Sequence, residues 1–491
     1  MQTIQINSSD DIAELIHENT IRNSRNNLLH FTENTLEGFD VQPYHKAYYT
    51  LLDSFAKGHI KRLIVTMPPQ HGKSEGSTRR LPAYILGNNP DIKIALASYN
   101  TTFASKFNRD VQRIIDTPFY ADVFPNTKLN RSNVVTVSSN FLRNSIEFEV
   151  IDSKGGLKAV GRGGALTGNK VDVMVMDDLY KDYMEANSPI IRESVWDWYT
   201  TVVDSRLHND SQQLIVFTRW HEEDLIGRLE TMGKVKTITD LKDIDSIELK
   251  HDEWFKVNFE AIKQDKPTLI DPREEGTALW PNVHSKESLL STMEMDVEKF
   301  NCLYQGNPES KEGLLYSTFK TYEQLPDLKQ IKNYTDTADT GQDHLCSIVY
   351  GIALADTDKH LYILDVLYTA EPMEATEPLT IDLFKKNKVK IANIESNNGG
   401  RGFARVVGKG AVGTHVEWFH QSSNKEARIF SNSATVNNRV TMPKDWFLRW
   451  PRFYSDVVKY KKLFKANKFD DGPDTLTGIV EIEDIPEIFT F

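Results

Sequence analysis

Four runs of consecutive apolar residues constrain this chain most: KRLIVTMP (61–68), DIKIALASY (91–99), VDVMVMDD (171–178) and QQLIVFTRW (212–220). None alternates apolar with polar residues, so each predicts a strand buried on both faces. Helix-compatible segments separate them, KSEGSTRRLPAYILG after the first and TTFASKFNRDVQRIID after the second. Strands joined through helices pair in parallel, because a tight hairpin only joins antiparallel neighbours. The runs therefore predict a parallel sheet covered on both sides, from about residue 40 to about residue 225. A polar stretch with one helix, SSDDIAELIHENTIRNS, precedes it.

Residues 225–310 are mixed and more charged, ending in helix-like SKESLLSTMEMDVEKFNCLY. The segment YQGNPESKEGLLYSTFK (304–320) carries Gly, Pro and alternating charge and reads as a linker. Beyond it, IKNYTDTAD and CSIVYGIALADTDKHLYILDVLY predict adjacent antiparallel strands with a turn at ADTDKH. A helix (EPLTIDLFKKNK), a strand (VKIANIES) and a helix (GRGFARVVGKG) follow, then helical RFYSDVVKYKKLFKAN and DGPDTLTGIVEI. This is a second α/β domain. The expected organisation is an N-terminal helical segment (1–35), a first domain (36–310), a linker (311–330) and a second domain (331–491).

Specific chemistry is first suggested by TMPPQHGKSE (66–75). Its tail matches the end of a phosphate-binding loop, G-x-x-x-x-G-K-[ST], but Met67 stands at the leading glycine position. Short matches of this kind also arise by chance. Context favours the loop: a strand precedes it and a helix can follow, so backbone N–H groups and the helix dipole would face a phosphate. Lys73 would then reach the β- and γ-phosphates, and Ser74 would hold magnesium. Such a site also needs an apolar strand ending in a carboxylate. VDVMVMDD supplies Asp177 for the metal and Asp178 to orient or deprotonate the attacking water; a paired Asp that merely ends a strand is the alternative. Arg162, among glycines in GRGG, can reach a γ-phosphate or be a solvated loop arginine. Thr218, Arg219 and Trp220 end the strand in TRWHEEDL, where polar clusters face the ligand crevice, although Trp220 also suits the core. His221 is expected to cap a helix rather than bind metal.

Three acids stand out in the second domain. Asp336 lies on a predicted strand, Glu395 ends VKIANIES, and Asp474 begins a helix in FDDGPDTLTG. Converging carboxylates can hold two divalent ions that hydrolyse a phosphodiester, and oxygen donors suit Mg²⁺ or Mn²⁺ rather than zinc. Strand-end acids and a helix-capping Asp474 are equally ordinary features. Asp343, Asp470 and Asp471 are nearby extras, and Asp365 reads as a buried or strand-edge acid. Arg401, Arg405 and Lys409 form a helix face suited to phosphate contacts or to solvent.

Bulk composition narrows the partners. A net charge of -12 excludes a protein that coats nucleic acid with its whole surface, so contact must come from local basic patches. Mean hydropathy is -0.46, and no run approaches the roughly 20 apolar residues of a membrane span. The N-terminus lacks a secretory pattern. Cys302 and Cys346 form neither a metal motif nor a disulfide framework and read as reduced thiols.

PPQHGKSE, SYNTTFASKFNRDVQ, GRGGALTGNKVDVMVMDD, TRWHEEDL, NCLYQGNP, DTADTGQD, IESNNGG and NKEARI...NNRVTMP together resemble the large terminase subunit of tailed bacteriophages, over nearly the whole chain and in order. The resemblance implies an N-terminal packaging ATPase of the ASCE P-loop type and a C-terminal nuclease of ribonuclease-H-like fold. It implies ATP and Mg²⁺ as cofactors, with Mn²⁺ possible in the nuclease. Double-stranded viral DNA, a portal protein, a small terminase subunit and a pentameric ring are the implied partners. The implied place is the infected host's cytoplasm, transiently on the prohead. By position, the phosphate loop falls on Pro68, Pro69, Gln70, His71, Gly72, Lys73 and Ser74, and the strand-end acids on Asp177 and Asp178. Members usually place glutamate at the second acid. Many also have arginine where this chain has Gln70, which turns attention to Arg162 as a trans-acting finger. The coupling motif falls on Thr218, Arg219 and Trp220, the adenine-side motif includes Gln42, and the nuclease acids fall on Asp336, Glu395 and Asp474. A DNA-repair helicase-nuclease would need a second RecA-like half. A nucleotide-gated assembly factor without nuclease activity is the reading from another class.

Overall fold

The four apolar runs form the middle of one sheet. Its strands are β1 (Arg62–Thr66), β2 (Lys93–Ser98), β3 (Glu147–Glu149), β4 (Gly156–Gly161), β5 (Val173–Asp177), β6 (Gln212–Phe217), β7 (Val235–Thr237) and β8 (Trp254–Asn258). Their order is β3-β4-β2-β5-β6-β1-β8-β7, parallel throughout except for β3 against β4. Alternate residues of each strand enter different cores. Leu63, Val65, Leu96, Val175 and Val216 join one core, whereas Ile64, Ala97, Met176 and Phe217 join the other. Burial on both faces is why these strands read as unbroken apolar runs. β6 lies between the strand before the phosphate loop and the strand that ends in Asp177, which is the ASCE order.

The sheet extends beyond its expected end near residue 225. β8 pairs in parallel with β1, in register Leu63↔Phe255, and lies within the charged stretch 225–310. Lys256 and Asn258 interrupt its apolar run, and both are bound to polar partners. The N-terminal helices Ser9–Asn26 and Leu28–Thr35 lie in the first unit, and Leu28 and Phe31 are buried in its core.

The chain divides into two compact units, Met1–Glu309 and Ser310–Phe491. The computed structural model describes residues 9–135, 141–166, 170–308, 313–316, 318–337, 344–354, 356, 359–396, 400–421, 424–463, 467 and 469–484. Among these no helix is long and apolar enough to cross a membrane.

The second sheet contains β9 (Lys320–Tyr322), β10 (Leu328–Asp336), β11 (Leu345–Ala353), β12 (Leu361–Thr369), β13 (Ile391–Glu395), β14 (His415–Phe419) and β15 (Val440–Pro443), in the order β14-β13-β10-β11-β12-β15-β9. β10, β11 and β12 form an antiparallel meander; β13 and β14 add in parallel beside β10. A three-strand meander extended by parallel strands on its first strand is the ribonuclease-H-like arrangement. Part of the segment read as a linker is structured: β9 pairs with β15 through Lys320↔Thr441, and residues 304–307 belong to the first unit. The predicted helix after Arg452 is shorter than expected, running Pro451–Val458.

Helix Asp471–Asp484 packs directly on β10. Gly478 makes this approach possible, since a Cβ there would meet the Tyr334 ring at 2.1 Å. Gly478→Ala is expected to destabilise the second unit by about 1–3 kcal/mol, the cost of overpacking a filled core. Urea unfolding of the full chain, followed by second-unit amide exchange, measures it.

Candidate active sites

The phosphate loop hangs between β1 and helical structure beginning at Lys73. Met67 is a core residue, 2% exposed, with its N–H donated to Phe217 of β6, which accounts for the absence of glycine there. Gln70 and Gly72 adopt positive φ of 60° and 82°. Left-handed residues within such a loop turn successive N–H groups towards a common anion site. From beneath, the Tyr44 hydroxyl donates to the His71 carbonyl at 2.9 Å and the Tyr48 hydroxyl to the Lys73 carbonyl at 2.6 Å. Gln42 lies at the N-cap of the helix Pro43–Ala56 that carries both tyrosines, and its side chain donates to Asp40 at 2.8 Å.

Lys73 is 6% exposed and its ammonium meets Asp178 and the Thr218 hydroxyl. The other Asp178 oxygen accepts the Thr218 N–H at 2.7 Å. Loop, β5 and β6 therefore meet at one lysine. Both carboxylate oxygens of Asp178 have partners, and the residue itself sits at φ 42°, a left-handed conformation that Asp tolerates better than most. Asp177 is differently placed: one oxygen accepts from Thr78 at 2.7 Å, while Oδ1 is buried with no hydrogen-bond partner among the described residues. Burial, then the charge of Asp178, push its carboxyl up to about 6 against the pull of Lys73, Ser74 and Thr78. A buried carboxylate oxygen without a partner, next to Ser74, fits a bound divalent ion.

The remaining first-unit candidates separate. Thr218 is at the site. Arg219 is turned away from it, 2% exposed, held by Asp224 at 2.7 Å and Glu230 at 3.3 Å. Asp224, the N-cap of the helix Leu225–Thr231, holds the guanidinium in the buried interior. Trp220 is half-buried against the second core. His221 accepts the Glu223 N–H at 3.0 Å, just ahead of that helix. Arg162 is a tethered rather than a free loop arginine: it pairs with Glu185 at 2.7 Å and donates to the Leu179 carbonyl at 3.0 Å.

In the second unit the three acids come together. Asp336 ends β10, Glu395 ends β13, and Asp474 lies in the first turn of Asp471–Asp484. The Lys425 ammonium lies 3.7 Å from both Asp336 and Asp474, 2.8 Å from Asp470 and 3.1 Å from Asp471. Arg428 pairs with Asp474 and lies 3.5 Å from Glu395. Tyr334 donates to Glu395 at 2.6 Å. Burial, with Glu395 next, holds Asp336 well above the usual carboxylate range; burial pushes Asp474 up to about 6 although Lys425 and Arg428 pull it down. Burial works against the Lys425 charge, but the surrounding acids hold its pKa above the ordinary lysine value.

The donors are the right chemistry for Mg²⁺ or Mn²⁺, yet among the described residues no group of three or more His, Cys, Asp or Glu side chains is arranged to hold a metal ion. Lys425 and Arg428 stand among these carboxylates and offset their charge. Lys425 and Arg428 carried no assigned role in the sequence reading; the one available signal was two cations a helical turn apart, opening the helix Lys425–Arg439. Of the extra acids, Asp470 and Asp471 join the cluster. Asp365 is a strand acid held by Lys386 and Asn387, and Asp343 lies outside the described residues.

Two histidines, His71 within the phosphate loop and His45 against it, set an acid limit on the first unit. Burial lowers both His45 and His71 to about 4. His45 Nδ1 accepts the Gln42 N–H at 3.0 Å, which only the unprotonated nitrogen can do. Their folded values lie below the ordinary ~6.5, so the unfolded chain takes up protons first. Stability is fully present above about 6.5 and falls as pH drops towards 4. His45→Gln, which keeps an acceptor for Gln42, is expected to flatten the fall of Tm between pH 6.5 and 4; equal slopes by calorimetry would refute it.

The HK97 bacteriophage large terminase aligns with 10% identity over 90% of this chain and 95% of its own, at TM-score 0.35. The large terminase of a thermophilic bacteriophage, in complex with ATP-gamma-S, aligns with 11% identity over 89% of this chain and 98% of its own, at 0.31. The nuclease domain of g2p, the large terminase of bacteriophage SPP1 with bound Mn, aligns with 14% identity over 34% of this chain and 98% of its own, at 0.27. No curated protein matches. The family model described as terminase large subunit, T4likevirus-type, N-terminal, matches residues 64–320, more than half of the chain, from within β1 past the end of the first unit to the start of β9. With that match laid over the loop, the strand-end acids and Thr218, the chain belongs to the terminase large subunit family.

Proposed function

We propose that this chain hydrolyses ATP to drive double-stranded viral DNA through a portal into a prohead, and that its second unit cuts concatemeric DNA. The observation that carries the motor half is the meeting of Lys73, Asp178 and Thr218, which joins the phosphate loop to two strand ends. Lys73 would leave Asp178 for the phosphates, freeing that carboxylate to orient water. Ser74 and Asp177 would hold Mg²⁺, which when bound neutralises phosphate charge. Arg162, once released from Glu185, would serve a γ-phosphate in its own subunit or in a neighbour of a pentameric ring. Thr218 senses the lysine directly, and Arg219 supports that strand end from the core.

For cutting, Asp336, Glu395 and Asp474 would hold divalent ions only once Lys425 and Arg428 give way; such ions when bound activate water and stabilise the leaving oxygen. Lys425 and Arg428 keep these acids together. Arg401, Arg405 and Lys409 follow one another at i, i+4 spacing along helix Gly400–Gly410, and Arg401 stacks 4.6 Å over exposed Trp418. This face suits a phosphate backbone. The working place is the host cytoplasm, with a small terminase subunit delivering the DNA.

A second reading draws on the cations among the carboxylates: a nucleotide-gated assembly factor whose second unit only binds DNA or the portal. The helicase-nuclease reading has less support, because β7 and β8 extend the first sheet instead of building a second lobe.

Lys73→Ala is expected to lower ATP turnover by roughly a hundredfold or more while leaving plasmid cleavage intact. Asp336→Ala and Glu395→Ala should abolish Mn²⁺-dependent cleavage and spare ATP hydrolysis; retained cleavage in both favours the assembly factor. Charge reversal at Arg401, Arg405 and Lys409 should weaken duplex binding and reduce its salt slope by about 0.9 per lost phosphate contact.

A further inference from the structure

The segment YQGNP closes the first unit and carries no role in either catalytic reading, yet buried hydrogen bonds hold it to β8 and to Ala261 and Ile262. Gln305 is 2% exposed. Its side-chain amide pairs with a single residue as a strand would, accepting the Ile262 N–H at 3.0 Å and donating to the Ile262 carbonyl at 2.8 Å. Its own carbonyl accepts from the Asn258 side chain at 2.9 Å. Asn258, the last residue of β8, uses its other amide atom to accept the Thr66 hydroxyl at 2.6 Å. Thr66 is the last residue of β1, 0% exposed, and the next residues are Met67 and the phosphate loop.

Gly306 completes the join. Its φ is +66°, and a Cβ would lie 2.1 Å from Asn258 Oδ1, so this position admits only glycine without displacing the asparagine. Neighbouring backbone ties stiffen the same corner: the Ala261 N–H donates to the Tyr304 carbonyl at 2.7 Å and the Phe259 N–H to the Thr66 carbonyl at 2.9 Å. An asparagine bridging two buried groups has no spare orientation. Its oxygen is committed to Thr66 and its nitrogen to Gln305. Movement of the β1 terminus must therefore move the end of the first unit or break buried hydrogen bonds.

We infer that Thr66, Asn258, Gln305 and Gly306 form a positioning latch, which ties the base of the phosphate loop to the residues where the chain leaves the first unit. The latch rests on the reading that the loop binds nucleotide. Occupancy of the loop is then felt at residues 303–307 without any side chain there touching the ligand.

Hydrogen–deuterium exchange on the full chain, with and without ATP-gamma-S, tests this. In the wild type, nucleotide slows exchange at residues 303–307 by roughly fivefold or more, the protection of about one retained hydrogen bond. Thr66→Val removes the donor, and Asn258→Asp keeps the acceptor for Thr66 while losing the donor to Gln305. Both variants should bind ATP-gamma-S with unchanged Kd and unchanged protection at residues 70–75, but lose the slowing at 303–307. Using two variants that break opposite ends keeps the test valid if one folds poorly. Slowing that persists in both variants, or a wild type whose 303–307 amides ignore bound nucleotide, overturns the latch. Failure of the wild type to bind ATP-gamma-S at all overturns the nucleotide reading, and the latch with it.

Discussion

A charged lysine buried to 6% exposure needs compensation, and the way Lys73 finds it organises the first unit. The ammonium is satisfied by Asp178 from one strand end and Thr218 from another. Those strands are adjacent because β6 lies between β1 and β5. Remove that strand order and the lysine would face an apolar sheet edge, where a lone charge is costly. The ion pair is thus less a source of net stability than a specification of which elements must meet.

The second unit repeats this logic with the signs exchanged. Five carboxylates, Asp336, Glu395, Asp470, Asp471 and Asp474, gather at the ends of β10 and β13 and around the start of Asp471–Asp484, and Lys425 with Arg428 makes their proximity tolerable. Both sites are held by pairs whose members come from distant parts of the sequence. Pairing of this kind keeps a highly charged centre folded when nothing is bound.

Around the phosphate loop the ties run in several directions. Tyr44 and Tyr48 support it from below, Met67 binds β6, and Thr66 binds β8. The loop is tied down at its base, and at its crest Gln70 and Gly72 turn left-handed. Pro68 and Pro69 suit this arrangement, since neither needs an N–H donor at the bend. The proline-rich approach is compatible with anion binding because the amides that matter follow it.

Sequence pattern made much of the fold legible: unbroken apolar runs marked β1, β2, β5 and β6, and strand-like runs on either side of the polar turn ADTDKH marked β11 and β12. Polar exceptions hid β8, whose Lys256 and Asn258 serve Glu230 and Gln305, partners far away in sequence. Residue identity and order alone determined the loop, the strand-end acids and the three second-unit acids as candidates, because their chemistry is carried by side-chain type. Only the tertiary structure decided that Arg219 turns into the core, that Arg162 is tethered to Glu185, and that Lys425 and Arg428 stand among the acids. The physical reason is common to all of these. A charged side chain's role depends on which opposite charge the fold brings within reach, and long-range pairing leaves no periodic trace in the chain.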